Sequence, residues 1–171
     1  DAESPTIRAA MSILGEDGFI ETRHRRGTFV AAHPPHLSLF AFVFPFPSFQ
    51  TESQFFRAIG AEAERCQRPE RRVQSFFDIH AHTDVPDYQR LLARVQASRL
   101  AGLIFAANPY GLRKIRSPLT DAPGVPRVVI EAGPDVAGVP SVYPDTATLC
   151  PRAVEHLAAR GCRRVAVICT P

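Results

Sequence analysis

The chain has 171 residues, room for one large or two small domains, and its 45% hydrophobic and 22% charged side chains exclude a disordered tail or a membrane-embedded chain. The net charge is only +3, and Lys114 is the only lysine, so local arginine clusters mean more than the total. Four cysteines, Cys66, Cys150, Cys162 and Cys169, form no C-x-x-C pair, which argues against a zinc ribbon or a thioredoxin-like redox site and leaves reduced thiols. No apolar run approaches the ~20 residues that cross a bilayer, and no basic-then-apolar leader opens the chain, so a cytoplasmic location with no membrane partner is expected.

In chain order, Ser4 suits an N-cap and Pro5 the first helical position, where a missing N–H costs nothing and the fixed φ is already suitable. Ile7, Ala10, Met11 and Leu14 recur at the helical period and define one apolar face, leaving Thr6, Arg8, Ser12 and Glu16 outside. Gly18 supplies the stop. Residues 19–23 then read as a strand and 27–31 as its antiparallel return, with His24, Arg25 and Arg26 at a basic tip.

Ser-Pro-Thr-Ile-Arg-x-Ala, then Gly-Phe-Ile-Glu, then Arg-Arg-Gly-Thr-Phe-Val resemble in order and spacing the C-terminal half of a GntR-family winged helix-turn-helix, over residues 4–30. The resemblance implies a recognition helix over 5–14 and a wing formed by the hairpin. It places Ser4, Pro5, Thr6, Arg8, His24, Arg25, Arg26 and Gly27 at DNA. The physics agrees, since a helix about 10–12 Å across fits a major groove about 12 Å wide and presents its N-terminal residues to bases and phosphates. Two positions depart from the family pattern: Ser4 stands where arginine is common, and Arg25 where the wing often has a second glycine. Base preference therefore does not carry over. In that family, preceding helices bury the face formed here by Ile7, Met11 and Leu14. The two ends read as those of an internal piece of a longer regulator.

Residues 32–37 contain Pro34 and Pro35, expected to stay out of helices and to form a stiff extended linker, with His33 and His36 as solvated linker histidines. Residues 39–44 are a continuous apolar run, as in a parallel strand covered on both faces. Helices are expected over 53–65, 84–98 and 146–160, and a short basic one over 111–117. Strands are expected over 73–79, 103–107, 127–131 and 165–169. Alternating strands and helices imply an α/β fold with a mainly parallel sheet.

LSLFAFVFP, FFRAIGAEAE, LAGLIFAA, VPRVVIE, SVYPD and AVEHLAARGCRRVAVI resemble successive landmarks of the LacI-type sensor domain, which is similar to periplasmic sugar-binding proteins. Cys162 replaces a usual histidine, and Thr146 stands where asparagine often follows the aspartate. The expected fold class is therefore α/β: a partial winged helix-turn-helix (1–31), a linker (32–37) and a parallel-sheet, periplasmic-binding-protein-like sensor domain of LacI type (38–171), its C-terminal lobe incomplete.

Ligands of open α/β sheets bind outside the carboxyl ends of the strands. That rule nominates Phe46 and Ser48 after the first strand, Asp78 and His80 after the second, Asn108 after the third and Asp145 at the crossover between lobes. Asp78, Asn108 and Asp145 suit polyol hydroxyls, and Phe46 suits the face of a sugar ring. The plainer roles are structural, with Asp145 as an N-cap and Asp78 closing a turn. His80 and His82 lack a third metal ligand, and no nucleophile motif or phosphate loop stands out. The expected function is a homodimeric DNA-binding transcription regulator whose hold on its operator is set by a small-molecule effector, a sugar or related metabolite. Neither cofactor, metal nor catalysis is expected. The alternatives are a cytosolic α/β enzyme or a solute-binding protein with an incidental basic hairpin.

Overall fold

An apolar run without polar alternation is stable as a strand only where both faces are covered, and Leu39–Val43 is that strand, β3. The structure, a computed structural model, describes residues 4–47, 54–79, 83–109, 117–130 and 138–166. Before β3 come α1 (Ser4–Glu16), β1 (Ile20–Arg23), β2 (Gly27–Val30) and the one-turn α2 (Pro35–Ser38). After it come α3 (Gln54–Arg65), β4 (Arg72–Phe76), α4 (Pro86–Gln96), β5 (Gly102–Phe105), α5 (Pro118–Asp121), β6 (Arg127–Ile130), β7 (Ser141–Val142) and α6 (Thr146–Ala159).

Five strands form a parallel sheet in the order β4-β3-β5-β6-β7, and β1 and β2 form a separate antiparallel hairpin. Side chains alternate across β3. Ala41 and Val43 join Phe76, Leu103, Phe105 and Val129 beneath Leu91 and Val95 of α4 and Leu119 of α5. Phe42 and Phe44 turn to the other face, where Phe56, Ile59 and Ala63 of α3 cover them. Full burial of a side chain such as Phe76 or Leu91 stabilises by about 1.5–3 kcal/mol, so this two-faced core holds the region together.

Several elements depart from the sequence expectation for identifiable reasons. The proline pair does not make an extended spacer. Pro34 is extended (φ −67°, ψ 153°), but Pro35 opens α2, where its fixed φ suits a first turn, and both prolines are buried. β4 stops at Phe76 rather than 79 because the Phe77 N–H turns to the Asp87 carboxylate at 2.8 Å and Asp78 takes a left-handed φ of 60°. α4 starts two residues later than expected because Val85, preceding a proline, is held extended. Ser117 belongs to the N-cap of α5, with a capping box closed by Thr120; residues 111–116 of the expected basic helix lie outside the described residues. β7 was not foreseen, being only two residues long. Val165 and Ala166 stand in no strand, and 167–169 lie outside the described residues.

Among the described residues Cys66, Cys150 and Cys162 are free, and no helix is long and apolar enough to cross a membrane.

Candidate nucleic-acid interface and ligand edge

α1 ends as its sequence dictates. Gly18 adopts φ 79°, and the Phe19 N–H reaches back to the Leu14 carbonyl at 2.9 Å. The chain then enters the hairpin, whose strands pair Ile20 with Val30 through Arg23 with Gly27. Thr22 and Thr28 share a hydroxyl hydrogen bond of 3.2 Å across it, and the Arg23 guanidinium lies over the Phe29 ring at 5.4 Å while pairing with Glu21. The Arg26 N–H donates to the Arg23 carbonyl at 3.0 Å, closing a turn in which Arg25 takes φ 60° and Gly27 follows at φ 98°. Arg25 thus occupies a backbone state that glycine holds more easily.

The residues nominated for DNA share one character. Pro5, Thr6, Arg8, His24, Arg25, Arg26 and Gly27 are all exposed, and the Arg8, His24, Arg25 and Arg26 side chains have no hydrogen-bond or ion-pair partner among the described residues. Ser4 is the first residue of α1. Two basic groups, one on the helix and one at the turn, are therefore free to meet an anion.

The candidate ligand edge is assembled less completely. β3 neighbours both β4 and β5, so the strand order changes direction there, and such a point leaves a crevice beyond the carboxyl ends. Phe46 and Asp78 meet at that edge, the Asp78 N–H donating to the Phe46 carbonyl at 3.1 Å. Asn108 follows β5 on the other side of β3, and Asp78 and Asn108 are both half-buried. The Phe46 ring is engaged in an aromatic cluster, 5.9 Å from Phe44 and 4.8 Å from Phe56. Ser48, His80 and His82 lie outside the described residues. Asp145 stands apart: it follows β7, three strands from β3 and roughly 14 Å away at the usual ~4.8 Å spacing. Its carboxylate caps α6, accepting from the Thr148 hydroxyl at 2.6 Å and the Thr148 N–H at 3.2 Å. Those hydrogen bonds, the hydroxyl's first, hold its pKa below the usual carboxylate value.

Sequence reasoning missed the contacts that tie the two regions together. Asp17, just past α1, pairs with Arg99 before β5 at 2.5 Å. The Phe19 ring stacks on His36 at 5.5 Å, so His36 is not a free linker histidine. Ser38, buried at the end of α2, donates to the His33 and Pro34 carbonyls, each at 2.9 Å, and accepts from Arg72 at 3.1 Å. Nothing in the sequence pairs these residues, since partners such as Asp17 and Arg99 lie far apart in the chain.

Among known proteins, no family model and no curated protein matches this chain. A solved structure of a LacI family transcriptional regulator from Lactobacillus casei, with bound glucose, is similar to it at 20% identity and a TM-score of 0.43. The likeness covers 74% of this chain and 44% of that one, so the chain spans less than half the length of that regulator. Neither the identity nor the score is high enough to carry a function across.

Proposed function

We propose that the chain is part of a DNA-binding transcription regulator, with α1 as the recognition helix, the hairpin as a wing, and the α/β region as the first lobe of a LacI-like effector sensor. The observation that carries this reading is the unpartnered basic set, Arg8 on α1 and His24, Arg25 and Arg26 at the tip of the hairpin that follows the Gly18 turn. The order of the motifs over residues 4–30 supports it. Arg8 reads phosphate or guanine from the groove, and His24, Arg25 and Arg26 track the neighbouring backbone. The effector, a sugar or related metabolite, is held at the C-terminal edge between Asp78 and Asn108, with Phe46 and Ser48 beside them and Asp145, the α6 cap at the crossover between lobes, as a further contact. The whole protein acts as a homodimer in the cytoplasm on a two-part operator, and it is not an enzyme. Effector and DNA are coupled because each favours one spacing of the paired helices.

The test is fluorescence anisotropy of the full-length protein on duplex DNA across a salt titration. Affinity should fall steeply with salt, and Arg8→Ala should cost about tenfold and flatten the salt dependence by about one unit of slope. Unchanged binding in Arg8→Ala removes the helix from the interface. For the effector, a thermal-shift screen against a sugar panel reads binding by mass action, and a hit that Asp78→Ala and Asn108→Ala leave intact places the site elsewhere.

A further inference from the structure

The amino-terminal edge of the parallel sheet, opposite the ligand edge, gathers arginines. Arg72 opens β4 in register with Leu39, the Leu39 carbonyl accepts the Ala101 N–H at 2.7 Å, and Arg99 lies two residues before Ala101. Arg94 is in the last turn of α4, and its carbonyl accepts the Arg99 N–H at 2.9 Å. Arg90 lies one turn back on the same helix face. Three guanidinium groups, those of Arg72, Arg94 and Arg99, thus share one edge, while Arg90 lies over Phe76 nearer the carboxyl end of β4. The carboxylates paired with these arginines are Asp17, 2.5 Å from Arg99, and Asp87, 2.6 Å from Arg90.

The four arginines differ in how they are satisfied. Arg72 donates to Ser38 and Arg90 lies over the Phe76 ring, whereas Arg94 is half-buried with no hydrogen-bond or ion-pair partner among the described residues. Burial first, and then the charges of Arg99, Arg90 and Arg72, hold the Arg94 pKa below the ordinary guanidinium value. Arg127 shows what a structural arginine looks like in this fold: its guanidinium donates to the carbonyls of Leu119 at 2.9 Å, Val125 at 2.9 Å and Ala122 at 2.7 Å. Arg94 has no such contacts, and it stands at a repulsive i,i+4 spacing from Arg90. A half-buried cation among like charges is costly unless an anion completes it.

We propose that Arg72, Arg94 and Arg99 form a phosphate-binding site on the amino-terminal edge of the sheet. Guanidinium groups match the oxygens of a phosphate in forked pairs, and a dianion neutralises the excess charge that one Asp17 carboxylate leaves. Phosphate and Asp17 compete for Arg99, so occupancy opposes the tie between α1 and the sheet. The phosphate is either free, as in inorganic phosphate or a phosphorylated metabolite, or carried on the backbone of DNA. The proposal does not depend on α1 reading DNA.

The test is thermal unfolding of the full chain titrated with inorganic phosphate at ionic strength matched with sodium chloride, and separately with a short DNA duplex added to an Arg25→Gln/Arg26→Gln variant. Phosphate in either form should raise the melting temperature. Arg94→Gln, which breaks no contact, should weaken that binding about tenfold. Asp17→Asn should tighten it a few-fold. If Arg94→Gln fails to fold, Arg72→Gln reads the same site. A shift from inorganic phosphate alone assigns a free ligand. A duplex shift lost in Arg94→Gln assigns DNA. No shift with either, or shifts that both Arg94→Gln and Arg72→Gln leave unchanged, overturn the proposal. Failure of α1 as a DNA reader shows separately, as duplex binding that Arg8→Ala leaves unchanged.

Discussion

In the sheet region Ala41, Phe76, Leu91 and Val129 are 0% exposed, whereas on the apolar face of α1 Ile7 is 56%, Met11 38% and Leu14 39% exposed. The two regions have equally clear apolar patterns. They differ in what the chain lays against them. β3 is flanked by two strands and covered by α3 on one face and α4 with α5 on the other, while α1 touches little beyond its own hairpin. An amphipathic period therefore shows which face of a helix calls for a partner, and only the fold shows whether the described chain provides one. α6 repeats the lesson, with Leu149 at 61% and Val154 at 44% exposure.

Mutations should sharpen this contrast in order of size. Leu91→Ala, at a fully buried site, should cost about 2–5 kcal/mol in urea unfolding, whereas Ile7→Ala should stay within about 0.5 kcal/mol. Equal costs at the two positions would mean that the face of α1 is covered in solution. Asp17→Asn removes the ion pair between the regions and should cost about 1 kcal/mol or less, because Arg99 is partly exposed, but it should speed amide exchange across the hairpin. Exchange that speeds equally in α4 would show a global effect instead. Arg25→Gly relieves a left-handed residue and should stabilise the hairpin by about 0.5 kcal/mol, while DNA affinity falls with the lost charge. A variant that gains stability and keeps its affinity would take Arg25 out of the interface.

The smallest effects are set by pH. The Asp145 carboxyl titrates below its ordinary value in the folded chain, so its cap on α6 is fully in place above that ordinary value and is lost as pH falls through the folded one. Glu62 behaves alike, its hydrogen bonds from Arg65 and then Cys66 lowering it to about 2. Carboxyl NMR titrations should find both midpoints below those of the unfolded chain; ordinary midpoints would dissolve the cap and the pair.

How far the sequence reads depends on whether a signal is local. α1, the Gly18 stop and the basic turn follow from spacing and backbone preference, and the structure places them with small shifts at the ends. The apolar run at 39–44 points to a doubly covered strand because its own composition demands it, and the strand spans Leu39–Val43. Illegible features depend on partners far apart in the chain. Asp17 and Arg99 are an unremarkable pair of charges until the fold joins them, and Ser38 gains its role only when α2 buries it against Arg72. The ligand edge falls between these cases. Topology predicts that Phe46, Asp78 and Asn108 follow the carboxyl ends of three adjacent strands, and the position of Asp145 ahead of a helix already suggested the cap it makes, but periodicity cannot say that the Phe46 ring packs on Phe44 and Phe56. Pro35 misled for a simpler reason: proline is excluded from a helix interior, not from its first turn.

The central claim is that α1 and the hairpin tip together grip DNA, and amide NMR of the full-length protein during titration with duplex operator fragments tests it most directly. The amides of Thr6, Arg8 and residues 24–27 should shift first and most. Binding that leaves those resonances in place while moving others would contradict it.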